Sequence, residues 1–439
     1  MRPDDGSRTF VTGLPTGELT ARARRWVEGA VPEEWRRAAL DGGSSALRQV
    51  RTRAAYEAWY PVFAATGLVA PTWPVEYGGA GLTPDEARAV ETELSPYNLG
   101  RLNPLGLSLA APALFAFGTE QQRLRYLPPI VRNEEVWCQL FSEPGAGSDL
   151  ASLATRAERD GEQWVITGQK VWNTWAHLAD FGVLLARSDT GVPKRQGITY
   201  FLVGMHEPGV EVRPLRQITG EIDFNEVFLD AVRVPDDQRV GEVNAGWKVA
   251  NATLSGERQM VSGSGSGGVD RIGGGRAERL VPLSRRGGDG TQPGGWDDPV
   301  VRQKIMQVVG EERIRNWTNQ RVRAGVKAGR SPGPGSSVGK VHQGDLNQRV
   351  QLVATDLLGA GATAWSDADA AASHRPPDPF ERYSETLPYE IRGMLRSRAN
   401  TIEGGTTEVN KNIVAERVLG LPREPDPWQQ APWRDVPRS

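Results

Sequence analysis

Apolar positions recur at helical spacing through the first third of the chain, switch to short β-rich runs in the middle, and return to helical spacing towards the end. From Glu18 to about Glu134 the pattern is helical. In "TPDEARAVETEL", Thr83 stands as an N-cap, Pro84 takes the first helical position and acids fill the first turn. "GTEQQRLRYLPPIV" repeats the scheme, with Thr119 as cap, Glu120 and Gln121 following, and Pro128 predicted to stop the helix. Between them "WPVEYGGAGL" reads as a glycine-rich turn. After Asn133 come "QWVITGQKVWN", "FGVLLARSD", "GITYFLVGM", "VEVRPL" and "EVFLDAVRVP", rich in Val, Ile, Phe and Tyr and separated by Asp/Gly/Pro turns. No helix of useful length fits between these runs, so the sheet is expected to be antiparallel, a small barrel or sandwich. Helices are predicted again over Ala245 to Met260, Pro299 to Gly325, Leu346 to Leu358 and Asn410 to Leu419. Ser262 to Trp296 is rich in Gly, Arg and Ser, and its "GSGSGG" end is expected to be flexible; "GRSPGPGSSVG" reads as a second loop. The order predicts an α+β chain with a helical region over 1–134, a β region over 135–241, and a helical region over 242–439 with a Gly-rich insert at 262–296.

Composition removes several function classes. With 52 Lys+Arg against 54 Asp+Glu the net charge is -2, so no bulk basic face for nucleic acid is implied. Cys138 is the single cysteine, which excludes an internal disulfide and a multi-Cys metal site. His177, His206, His342 and His374 are scattered and lack the helical two-His zinc spacing, so no metal is expected. "MRPDDGSRTF" carries acids and no apolar core, and no run approaches the ~20 apolar residues that cross a bilayer. A cytoplasmic protein is the expectation.

Four segments in order carry a likeness: "WPVEYGGAGL", "FGTEQQRLRYLPPIVRNEEVWCQLFSEPGAGSDLASL", "GQKVWNTWAHLADFGVLLARSD" and "TIEGGTTEVNKNIVAERVLG". Together they resemble the acyl-CoA dehydrogenase family over most of the chain from about Trp73 to Gly420. The resemblance implies an N-terminal helical domain, a central antiparallel β-barrel domain and a C-terminal four-helix bundle. It implies FAD between the last two, and an acyl thioester, usually of coenzyme A, as substrate.

The motifs also have direct physical readings. In "FSEPGAGSD" (141–149) small residues let backbone N–H groups approach a planar ring or a phosphate. Trp172 and Thr174, two apart on an expected strand, point to one face, where an indole and a hydroxyl can meet a flavin. Gly359 and Gly361 in "LLGAGA" follow a helix and read locally as a C-cap. By resemblance, Gln139, Leu140, Ser142, Ser148, Trp172, Thr174, Gly359, Gly361, Thr406 and Glu408 contact FAD. Ser148, Arg258 and Glu403 lie with the substrate. The family's Arg-x-x-Phe-Gly element has no counterpart here; the region holds the Gly-rich insert and "WDDPVVRQKIM", where Arg302 and Gln303 are the nearest candidates.

Desaturation between C2 and C3 needs a base at the α-carbon and a hydride acceptor at the β-carbon. Aligned on Gly405 to Thr407, the family's commonest catalytic glutamate falls on Gly404 and the residue before it on Glu403. In "AGWKVANATLSGERQMV", Val249, Ala250, Leu254, Met260 and Val261 share a helical side with Glu257, the single charge on that stripe. Burial there raises a carboxyl towards the range of a general base. A minority of the family places its base at this point, followed by Arg as in Glu257-Arg258. Glu257 is therefore the expected base, Glu403 the alternative, and the Gly404 N–H with a flavin hydroxyl the expected oxyanion site.

The expected activity is FAD-dependent α,β-dehydrogenation of an acyl-CoA, with electrons leaving to an electron-transferring flavoprotein, in a homodimer or homotetramer. Three alternatives stay open: an oxygen-using acyl-CoA oxidase or flavin monooxygenase, an acyl carrier protein-dependent dehydrogenase, and a half-site subunit of a hetero-oligomer.

Overall fold

The computed structural model describes residues 9–261, 277–286, 295–328, 335–363 and 389–437. The N-terminal helices are α1 (Thr16–Ala30), α2 (Glu33–Val50), α3 (Arg53–Ala64), α4 (Pro84–Leu94), α5 (Ala111–Phe117) and α6 (Glu120–Arg132). Thr83 and Thr119 both close capping boxes. The Glu86 N–H donates to the Thr83 hydroxyl and the Gln122 N–H to that of Thr119, while the side chains of Glu86 and Gln122 accept in return. Pro128 does not stop α6, which runs on through Pro129 to Arg132 and ends at a left-handed Asn133. An interior proline costs about 3 kcal/mol. Leu127, Ile130 and Val131 are buried in that stretch, and each is worth about 1.5–3 kcal/mol. Burial wins.

The strands are β1 (Trp137–Leu140), β2 (Arg156–Asp160), β3 (Gln163–Lys170), β4 (Phe181–Arg187), β5 (Ile198–Gly204), β6 (Val210–Leu215), β7 (Phe224–Pro235) and β8 (Arg239–Val240). Among the described residues they form one sheet ordered β6-β7-β3-β2-β4-β5-β8, with β1 on β4. Most ladders are antiparallel. The expectation of a wholly antiparallel sheet is corrected at β4: β1 pairs with it in parallel over Trp137↔Phe181 to Leu140↔Leu184, and β2 meets it in parallel at Arg156↔Arg187. A parallel pair needs a long crossover, and here β2 and β3 themselves supply it in place of a helix. Gly168 marks a register shift between β3 and β7, where a Cβ would come within 2.7 Å of Thr155 Cα. Trp164, Ile166, Phe201, Val203, Leu229 and Val232 fill the core on this sheet.

The C-terminal helices are α7 (Gly246–Val261), α8 (Leu280–Arg286), α9 (Pro299–Lys327), α10 (Gly335–Leu358), α11 (Tyr389–Ser397) and α12 (Thr407–Arg417). Three boundaries differ from expectation. α10 takes in Gly335 to Gly339, read as loop, because Ser337 and Lys340 are buried at its start. α12 begins at Thr407, since the Thr406 hydroxyl caps it by accepting from the Val409 N–H. The Gly-rich insert holds helix over Ala277–Arg286, because Ala277 and Leu280 pack with Ile305, Val309, Val350 and Ala354. The "GSGSGG" run lies outside the described residues.

The chain divides into two compact units. One comprises Met1–Glu143, Leu153–Val212 and Val227–Thr253; the other comprises Pro144–Ser152, Arg213–Glu226 and Leu254–Ser439. No helix among the described residues is long and apolar enough to cross a membrane.

Candidate active site

In the first unit, the segment Gln139–Glu143 is tied to the loop after β3. Lys170, at the end of β3, is fully buried; its ammonium donates to the Phe141 carbonyl (3.0 Å) and to Glu143 Oε1 (2.8 Å). Glu143 also accepts from the Ala154 and Thr155 N–H groups at 2.7 and 2.9 Å. Burial pushes this carboxyl up, but the Lys170 charge and these donors outweigh it and hold it below its ordinary value. The Val171 N–H donates to the Ser142 carbonyl (2.9 Å), and the Asn173 amide to the Gln139 carbonyl (2.7 Å).

These bonds correct one expectation. β3 ends at Lys170, so Trp172 and Thr174 lie in a loop and not on a strand. Asn173 turns inward to reach Gln139, and Trp172 takes a left-handed φ of 63° and is 62% exposed. A bulky residue at positive φ carries strain. Thr174 and Ser142 stay partly exposed nearby in the chain, whereas the Leu140 side chain is core.

The second unit holds the rest of the glycine-rich motif. Gly145, Gly147 and Ser148 are exposed, and a Cβ at either glycine would meet nothing within 4 Å. Asp149 accepts from the Ser152 N–H at 2.9 Å, and the Trp433 indole donates to the Ser152 carbonyl at 3.3 Å. Gly359, at φ 54°, closes α10, and Gly361 follows in the short turn Gly359–Thr363. Arg302 donates to the carbonyls of Trp296 and Asp297, both at 2.9 Å, so it tethers the end of the insert; Gln303 is exposed.

Glu403 has both oxygens engaged. Arg396 donates to Oε2 at 2.8 Å and to Oε1 at 3.2 Å, and the Asn400 amide donates to Oε1 at 3.1 Å. The next residue, Gly404, has φ 66° and Gly405 has φ 85°, a region where a side chain is strained. Position 404 therefore offers only its backbone at this turn. Glu408 is exposed in the first turn of α12. Glu257 and Arg258 lie in α7; their side chains lie outside the described residues.

Sequence reasoning missed Glu143, Lys170, Asn173, Arg396 and Asn400. Lys170 had a signal: Trp164, Ile166, Gly168 and Lys170 form one alternate series of β3, and its apolar members face inward. A lysine in such a series needs a buried acceptor.

Models of the acyl-CoA dehydrogenase N-terminal, middle and C-terminal domains match residues 18–134, 138–232 and 244–419. The acyl-CoA dehydrogenase IpdE1 of Mycobacterium tuberculosis is 37% identical over 414 residues, 93% of this chain and 98% of that protein. The chain belongs to the acyl-CoA dehydrogenase family. The acyl-CoA dehydrogenase FadE34 of Mycobacterium tuberculosis is 40% identical over 82% of this chain, which spans 45% of FadE34. Among solved structures, the Tcur3481-Tcur3483 steroid ACAD matches with a TM-score of 0.68 at 28% identity, covering 93% of this chain and 98% of that one. The ChsE4-ChsE5 complex of Mycobacterium tuberculosis matches with a TM-score of 0.67 at 25% identity, covering 97% of this chain and 100% of that one.

This acyl-CoA dehydrogenase is an oxidoreductase with FAD as its cofactor. The exposed residues fit that group. In the first unit, an outward indole beside partly exposed hydroxyls suits a planar ring with a polar edge. In the second, uncovered glycine backbone suits phosphate oxygens.

Proposed function

We propose that this chain catalyses α,β-dehydrogenation of a steroid-derived acyl-CoA, with Glu257 as the base. The observation that carries the choice of base is at Gly404. The common base position is a positive-φ glycine, and the adjacent Glu403 has both oxygens committed to Arg396 and Asn400. Along α7, Gly246, Ala250 and Thr253 are buried, and 257 is the next position of that helical series. Glu257 takes the α-proton, the Gly404 N–H donates to the thioester oxygen, and Arg258 compensates charge. FAD, when bound, supplies the hydride acceptor at the β-carbon. Backbone of Gln139 and Leu140, the hydroxyls of Ser142 and Thr174, and the Trp172 indole hold its ring. Ser148, Gly359, Gly361, Thr406 and Glu408 are assigned to its remaining parts and to the substrate's nucleotide end. An electron-transferring flavoprotein is the proposed electron acceptor. The steroid class rests on the likeness to the steroid ACAD.

The test is an anaerobic flavin spectrum with a panel of acyl-CoAs, from short straight chains to steroid side chains. Bleaching by the steroid thioesters, lost by ~10²–10⁴ in rate in Glu257→Gln, supports the reading. Equal bleaching in that variant overturns it. Peroxide formed at turnover rates under air would move the protein to the oxidases.

We also propose that the chain works as a subunit of a hetero-oligomer. Met306, Ile314 and Trp317 stand exposed on α9, and the two-chain ChsE4-ChsE5 complex is a structural neighbour. Mass measured in solution, alone and after co-expression with a second family member, tests this; a stable, flavin-loaded, active homo-oligomer overturns it.

A further inference from the structure

The turn between α11 and α12 is pinned from both sides of Gly404. On the upstream side, Glu403 is gripped by Arg396 and by the amide of Asn400. Asn400 is itself buried. Its Oδ1 accepts from the Asn347 amide at 2.6 Å and its carbonyl accepts from the Lys340 ammonium, both from α10. α10 can approach this closely because residue 344 is glycine; a Cβ there would sit 2.9 Å from the Asn400 carbonyl oxygen. On the downstream side, the Asn410 amide donates to the carbonyls of Gly405 (2.9 Å) and Thr406 (3.0 Å). The two glycines with positive φ sit between these anchors.

Arg396 has a second neighbour. Its guanidinium lies 5.8 Å from the Phe224 ring centroid, at the tip segment Arg213–Glu226 of the same unit. Arg392, one turn earlier on α11, pairs with Glu221 of that segment. α11 thus carries two arginines at i, i+4. One is bound to the β6–β7 tip, and the other is shared between that tip and the Gly404 turn.

We propose that Glu403 is a positioning residue: clasped by Arg396 and Asn400, it sets where the Gly404 N–H points and so how strongly the thioester carbonyl is polarised. This rests on the reading that the Gly404 N–H receives that oxygen. A donor aimed at developing charge acts only when held in place beforehand, and a displacement of about 1 Å costs on the order of 10²-fold in rate. A free turn with two adjacent glycines would not hold it. The acid here serves by anchoring its residue to the Arg396 and Asn400 side chains and takes no proton.

The experiment uses the flavin-loaded protein with a non-reacting acyl-CoA analogue labelled with ¹³C at the carbonyl. Isotope-edited infrared spectra read the carbonyl frequency, which reports polarisation and is not moved by a merely structural loss. The wild type is expected to shift the band to lower frequency. Glu403→Ala is expected to lose most of that shift and to lower kcat by roughly 10–100-fold with KM little changed. Glu403→Gln, which keeps an acceptor for Arg396, and Arg396→Lys are expected to fall between. A wild-type frequency and kcat in both Glu403→Ala and Glu403→Gln overturns the proposal. The same holds if Glu403→Gln abolishes exchange of the substrate α-proton while Glu257→Gln keeps it. In that case Glu403 is the base, and the assignment of Glu257 falls with it. Loss of activity in Glu257→Gln alone, with unchanged carbonyl shifts across the Glu403 variants, sinks the positioning role and leaves the base assignment standing.

Discussion

Lys170 Nζ lies 2.8 Å from Glu143 Oε1, and the pair joins the end of β3 to the glycine-rich segment. Breaking a buried pair by removing one partner leaves a charge without compensation and costs about 3–5 kcal/mol. Glu143→Gln and Lys170→Met are both expected to fall in that range, measured as a shift in denaturant midpoint of the apo protein. The double variant is expected to recover part of the loss. Equal losses that simply add would show that the two do not interact.

The same pair sets a pH dependence. The Glu143 carboxyl is held below its ordinary value of 4.5 in the folded chain. Its contribution is fully present above that value and is lost as pH falls below it, through the folded-state value. Stability of the wild type is therefore expected to drop more steeply below pH 4.5 than that of Glu143→Gln, followed by urea titrations at a series of pH values. Parallel curves would remove Glu143 from the acid response.

Gly404 separates two accounts of the base. At φ 66° a side chain costs about 1–2 kcal/mol. Gly404→Ala should lose about that much stability. Gly404→Glu placed in the Glu257→Gln background should not restore turnover, because the backbone directs a side chain differently from an ordinary helical or extended residue. Restored turnover in the double variant would mean that the turn accepts a base after all.

The Asn173 amide donates to the Gln139 carbonyl and so helps to hold the Trp172 loop. Asn173→Ala removes this part-buried bond, worth about 0.5–1.5 kcal/mol, and loosens the loop. The flavin-to-protein absorbance ratio after gel filtration is expected to fall. An unchanged ratio would separate the loop's geometry from cofactor retention.

How far these features were legible depends on whether their causes are local. The caps at Thr83 and Thr119 were, because a capping box is contained within four residues. The order of helices, strands and helices was legible from the change of period. Pro128 misled, because a local rule was overridden by the burial of Leu127, Ile130 and Val131. The Trp172 loop was not legible, because its conformation follows from a bond to Gln139, which is 34 positions away in the chain. The engagement of Glu403 was equally hidden. Arg396 lies seven residues upstream, but α11 ends at Ser397, so no continuous helix pairs them.

Thr253 tests the energetics midway along α7. Its hydroxyl lies 3.0 Å from the Tyr200 hydroxyl and 3.1 Å from the Leu109 carbonyl, with no exposure to water. Burial pushes the Tyr200 phenol well up, so it stays neutral at any ordinary pH. Thr253→Val keeps the shape but strands the buried Tyr200 hydroxyl, for about 1–3 kcal/mol. Thr253→Ser, which keeps the oxygen, is expected to cost less than Val. Tyr200→Phe removes the stranded hydroxyl, so adding it to Thr253→Val should cost less than the two single losses summed. A double-mutant cycle on urea midpoints reads this directly. Strict additivity would show that the two hydroxyls share no bond, which would leave the Thr253 bond to the Leu109 carbonyl and packing to hold α7 at this point.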